Sequence, residues 1–155
     1  MGVVILVLRL VVGCVFLGAG ALKVGHGALF ASELAAMRVL PASLVAPLAL
    51  FLPFFEIGLG AYLIVGLYTR AAAIVAAVQL AIFAGVIASV VLRHLPVSCG
   101  CFGPADTAVA SWGDIVRDLA LGAAAVVVAW RAPGFAALDL RLGGPNSVNQ
   151  KGSQR

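Results

Sequence analysis

Charge is the scarcest feature of this 155-residue chain. Lys and Arg number ten and Asp and Glu six, so 10% of the residues are charged while 63% are apolar. An average soluble domain carries about 25% charged residues, and a soluble fold of this size could not hide so much apolar surface. A bilayer can. Period-two alternation of polar and apolar residues is also missing. That removes a transmembrane barrel and leaves helices as the means of satisfying backbone groups in lipid. No basic residue precedes the first apolar run and Arg9 lies inside it, which argues against a cleaved signal peptide despite the small residues Ala19-Gly20-Ala21. No inverted repeat, no pair of interrupted apolar segments and few polar residues are available to line a path, so a transporter or channel is not expected.

What the chain does have is four apolar stretches, at about 3–22, 44–67, 71–92 and 112–130. A hydrocarbon core about 30 Å thick takes roughly 20 helical residues to cross, and the fourth stretch reaches that length only if it includes the turn starting at Trp112. The expected fold is all-α, an integral membrane four-helix bundle in one domain over residues 1–131. The tail, 132–155, is expected to be cytoplasmic and partly disordered, with a weakly amphipathic patch at 135–142. Between the first two stretches, Leu29, Phe30, Leu34, Met37 and Val39 recur at the spacing of a short amphipathic helix on the membrane face. Tyr68-Thr69-Arg70 reads as a tight hairpin, and Ser111-Trp112-Gly113-Asp114 as a capping box opening the last helix.

Four spans put both termini on one side. That side receives Arg70, Arg131, Arg141, Lys151 and Arg155, against Lys23, Arg38 and Arg93 on the other. The positive-inside rule then predicts a multi-pass protein of the plasma membrane with cytoplasmic termini. The loop between the third and fourth spans would be extracytoplasmic, in the compartment where disulfides persist.

That loop carries Cys99-Gly100-Cys101-Phe102-Gly103, two of the three cysteines. A C-x-C disulfide closes a small ring outside preferred geometry, and strain of that kind eases reduction, which suits an exchange site better than a staple. A metal reading has only His94, Cys99 and Cys101, one ligand short of a structural zinc site and without C-x2-C spacing. No metal is therefore expected, and haem attachment lacks its C-x-x-C-H motif. Arg93 and Arg117 are the cations placed to tune the thiols, since nearby positive charge favours thiolate. Cys14, deep in the first helix, reads as a small apolar packer.

Arg9, Lys23 and Glu56 are polar groups in or at the edge of apolar runs, where charge is costly and usually partnered. Counting rise along the helices makes an Arg9–Glu56 pair plausible. Two readings of it stand. It locks helix register, or Glu56 is a proton carrier or a polar contact for a quinone, with Pro53 loosening the helix nearby.

In order along the chain, Arg9, Gly20-Ala21-Leu22-Lys23, Leu52-Pro53-Phe54-Phe55-Glu56 with Gly58, the CGCFG element, Trp112 and Arg117-Asp118 resemble the methylamine-utilisation MauE family. That family lies within the wider DoxX-like group of four-helix membrane proteins, and the resemblance covers about 5–130. It implies a part in maturing an extracytoplasmic, disulfide-rich dehydrogenase beside a thioredoxin-like partner, with Cys99 and Cys101 as the thiol-exchange pair. Beyond the lipid bilayer, the expected partners are that thioredoxin-like protein and a dehydrogenase or other oxidoreductase subunit; nucleic acid is not among them. Four-helix quinone-linked thiol oxidases use two cysteine pairs. One pair plus Cys14 predicts a relay component rather than a self-contained oxidase. The competing expectation is a non-enzymatic membrane anchor or assembly subunit.

Overall fold

The computed structural model describes residues 2–98 and 109–131, which form five helices. They are α1 (Gly2–Val24), α2 (Gly27–Ala36), α3 (Ala42–Val65), α4 (Thr69–Leu92) and α5 (Trp112–Arg131). Helices α1, α3 and α4 are each long and apolar enough to cross a membrane, and the protein is an integral membrane protein. Helix α5 is 20 residues long and carries Asp114, Arg117 and Asp118 in its first two turns. Among the described residues the one β feature is an isolated antiparallel bridge between Ser98 and Val109. The cysteine pair at 99 and 101 and the 132–155 tail lie outside the described residues.

Helix α1 packs mainly along α3, and α4 along α5, with α1 also meeting α5. All four contribute to one apolar core, which includes Val12 and Phe16, Leu59 and Leu63, Ala73 and Ala76, and Ala125 and Val128. Small residues bring the α1 and α3 backbones close, as expected where transmembrane helices lack a hydrophobic drive to associate. A side chain added at Gly60 would lie 2.7 Å from the Gly13 carbonyl oxygen, and one at Gly20 would lie 2.6 Å from that of Pro53. These two contacts fix the register. Gly13 stands level with Gly60, Gly20 with 53–57, and Arg9 therefore with the end of α3.

The α3–α4 hairpin falls slightly before its expected place. Gly66 takes the left-handed conformation (φ 76°), and the Gly66 and Leu67 N–H groups both donate to Tyr62 O, at 2.9 and 3.1 Å. Glycine adopts that conformation without a Cβ clash, so the helix stops there. Thr69 and Arg70 belong to the first turn of α4 rather than to the turn itself.

Helix α2 forms where the spacing predicted one. Its buried side is Phe30, Leu34 and the adjoining Met37, with Phe30 and Leu34 packed on Val45 and Ala49 of α3, while Leu29 and Val39 stay exposed. Its course differs from a helix lying across the membrane face. The Phe30 ring lies 5.2 Å from Lys23 Nζ, deep beside α1, whereas Met37 O accepts a 2.6 Å hydrogen bond from Arg93 just past the end of α4. Helix α2 therefore continues the climb of α1 after a break at 25–26.

Candidate functional site

The polar centre of the molecule is an ion pair between helices. Lys23 Nζ donates to both carboxylate oxygens of Glu56, at 2.9 and 2.8 Å, and each residue is 2% exposed. Gln79 Nε2 of α4 donates to Glu56 Oε1 at 3.2 Å. The Phe30 and Phe83 rings flank the ammonium at 5.2 and 5.6 Å, where the negative ring faces attract it. Gln79 lies roughly 15 Å along α4 from Thr69 and about 20 Å from Leu92, at 1.5 Å per residue. The pair thus sits near the mid-height of the bundle, where an isolated charge is most costly.

Side-chain direction decides the partners. Every helical Cα–Cβ bond tilts toward its own helix N-terminus. Lys23, in the last turn of α1, points back into the bundle. Glu56, on antiparallel α3, points toward the end of the bundle where α3 begins. The two converge. Arg9, on α1 like Lys23, tilts toward the start of α1 and so away from Glu56, and it lies level with the end of α3, roughly 12 Å from the height of Glu56. The expected Arg9–Glu56 pair is therefore replaced by Lys23–Glu56, and Arg9, 2% exposed, is buried separately at the hairpin end. Counting rise alone misplaced the partner, because it ignored which way each side chain leaves its helix.

A second polar group lies one step away on α5. Asp118 is 4% exposed and accepts from Arg117 at 3.2 Å through Oδ1. Arg117 also reaches Asp114 Oδ1 at 3.1 Å. Asp114 Oδ2 accepts from both the N–H and the Oγ of Ser111, each at 2.9 Å, which realises the capping pattern in a carboxylate-centred form. Between the two groups is a cavity of about 40 Å³, lined by Phe16, Lys23, Glu56, Phe83, Arg117 and Asp118 among others. A water molecule needs roughly 10–15 Å³ of such space. The cavity is sized for water and too small for a quinone ring.

At the same end of the bundle, described residues pin both strands of the cysteine loop. The Ala110 N–H donates to Val97 O at 2.9 Å beside the Ser98–Val109 bridge, and Ser98 Oγ donates to Glu33 Oε1 of α2 at 2.7 Å. Arg93 braces the neighbouring helix end by donating to Met37 O at 2.6 Å and Ser89 O at 3.0 Å. Of the residues singled out by sequence, the structure joins Lys23 with Glu56 and sets Arg117 beside them across the cavity. Arg9 stands apart. Cys14 is exposed on the outer side of α1 rather than packed inside. Gln79, Asp118, Glu33 and Ser98 escaped the sequence reading as site residues. Gln79, a lone amide in an apolar run, was the one with a usable signal.

A family model described as methylamine utilisation protein MauE matches residues 1–131. The methylamine utilization protein MauE of Paracoccus denitrificans is 32% identical over 137 residues, covering 88% of this chain and 74% of that relative. No solved structure matches.

Proposed function

The chain belongs to the methylamine utilisation protein MauE family, and from that premise we propose that it is a membrane component of extracytoplasmic thiol–disulfide exchange that helps a partner enzyme mature. Cys99 and Cys101 are the exchange pair. In the oxidised form, a partner thiolate attacks one sulfur of the Cys99–Cys101 disulfide and the other sulfur leaves as thiolate. The partner's second thiol then breaks the mixed disulfide. The partner loses two electrons and two protons, and this pair takes them up. A strained C-x-C ring favours that direction. A thioredoxin-like protein in its disulfide form then reoxidises the pair and takes up the two electrons and two protons.

The observation that carries this reading is the closed, pinned stem on either side of the thiols, with Ser98 bridged to Val109 and bonded to Glu33. The stem fixes where the chain leaves the bundle before the cysteine pair and where it returns. Arg93 and Arg117 bring positive charge to the same end and tune thiolate formation, although Arg117 is shared between two carboxylates. With α5 as a fourth span, the termini are cytoplasmic and the loop extracytoplasmic, as the charge bias requires. A methylamine dehydrogenase or a related oxidoreductase subunit is the client.

Replacing both Cys99 and Cys101 with Ser tests this. The expected result is loss of disulfide formation in the client while the membrane protein accumulates normally. Intact client maturation in the double variant would sink the redox reading and leave an anchoring or assembly subunit.

A further inference from the structure

The cavity between α1, α4 and α5 brings two buried carboxylates from different helices into one small space. Glu56 and Asp118 both line it, together with Lys23 and Arg117. Asp118 is 96% buried. One of its oxygens, Oδ1, is held by Arg117. The other, Oδ2, has no hydrogen-bond partner among the described residues. A buried carboxylate oxygen without a donor costs the desolvation of a charged acceptor. The cavity beside it has a mostly apolar wall but is also lined by Lys23, Glu56 and Arg117, and it is large enough for a water that supplies the donor. One helical turn from Asp118, Asp114 shares the Arg117 guanidinium and has a side chain 19% exposed at the loop end of the bundle.

We propose that ordered water in this cavity joins Asp118 Oδ2 to the Lys23–Glu56 pair and makes a proton-exchange path from the middle of the bundle to the loop end. A proton from bulk water enters at Asp114, passes to Asp118 and crosses the cavity water to the Glu56 carboxylate; release reverses these steps. Arg117 is the positioning residue, holding Asp114 and Asp118 one turn apart with an ion pair to each. Lys23 holds the Glu56 carboxylate through both of its oxygens. Among the described residues, the other elements lining the site supply no titratable group: α4 offers the neutral Gln79 amide and α2 the Phe30 ring. The path needs neither cysteine.

Infrared difference spectroscopy tests this on the full chain in phosphatidylcholine vesicles, titrated with acid and then moved from H2O to D2O. Two protonated-carboxyl bands are expected, one lost in Glu56→Gln and one in Asp118→Asn, and both should shift on deuteration. In Asp118→Asn, Glu56 deuteration should slow at least about tenfold, equivalent to ~1.4 kcal/mol of barrier. Leu121→Phe, which fills the cavity and keeps every carboxylate, should slow it likewise. Asp118→Glu should restore the rate. The amide bands of the same spectra report whether each variant is folded. Unchanged Glu56 exchange in the folded Leu121→Phe and Asp118→Asn chains would overturn the path. A Glu56 that never protonates while the helices persist would overturn it too. The Cys99→Ser/Cys101→Ser chain should behave like the unmodified one, so failure here is distinct from failure of the thiol reading.

Discussion

Replacing Lys23 with Met should destabilise the protein by about 3–5 kcal/mol, the usual cost of removing one partner from a buried pair. The structure explains why the cost lands in that range. Glu56 would be left 2% exposed near mid-bundle with a single 3.2 Å hydrogen bond from Gln79. The companion change Glu56→Met strands Lys23 similarly. Making both changes removes the uncompensated charge and fills the space with apolar side chains of similar length. The double variant should therefore recover most of the loss, keeping a deficit of roughly 1–3 kcal/mol for the Gln79 amide left without its acceptor. Reversible unfolding in mixed lipid–detergent micelles, followed by circular dichroism, measures all four chains. The expected coupling between positions 23 and 56 is at least ~3 kcal/mol. A parallel cycle between Arg9 and Glu56 should give no more than about 0.5 kcal/mol, as for sites that share no partner. Coupling below ~1 kcal/mol at 23–56, or a matching value at 9–56, would refute the assignment of the ion pair.

Other outcomes follow from the same geometry. Gly60→Val should cost at least about 2 kcal/mol in the same assay, since overpacking forces backbone shifts and the added carbon would lie 2.7 Å from the Gly13 carbonyl; Gly18→Val, with open space around it, should change little. Glu33→Ala should loosen the loop stem by roughly 1 kcal/mol, read as about fivefold faster hydrogen exchange at the Ala110 amide, and leave the Lys23–Glu56 coupling untouched. Cys14→Ala should shift stability by less than ~0.5 kcal/mol, and Cys14 should react with a lipid-soluble maleimide in folded vesicle-bound protein; protection of that thiol would contradict its outward placement.

The spans were legible because lipid imposes a length and a composition, and the chain meets both in α1, α3 and α4 with ends close to those expected. Helix α2 was legible as well, from the spacing of Phe30, Leu34 and Met37. The polar centre was only half legible. Lys23 and Glu56 stood out as charges beside or inside apolar runs, but their pairing depends on Cβ direction and on the register that Gly13, Gly20 and Gly60 impose. Neither is visible in a count of residues from a helix end. The hairpin slipped because Gly66 sits at the end of an otherwise continuous apolar run, and its left-handed backbone outweighs the polar residues that follow. Cys14 misled for a simpler reason. In a membrane protein a small apolar residue is as comfortable facing lipid as facing the core, so composition cannot assign its side. Asp118 entered the sequence reading only as part of the Arg117-Asp118 element of the family resemblance, with no sign that it is buried. Its burial follows from α5 packing against α4, a contact far apart in sequence.

The central claim is that Cys99 and Cys101 form an exposed pair that cycles between dithiol and disulfide on the extracytoplasmic side. Labelling intact cells with a membrane-impermeant maleimide, before and after mild reduction, measures side and redox state together in a Cys14→Ser background. Weak labelling before reduction and strong labelling after it, at both cysteines and without lysis, is the predicted result. Labelling that requires lysis, or that is equal before and after reduction, would contradict it.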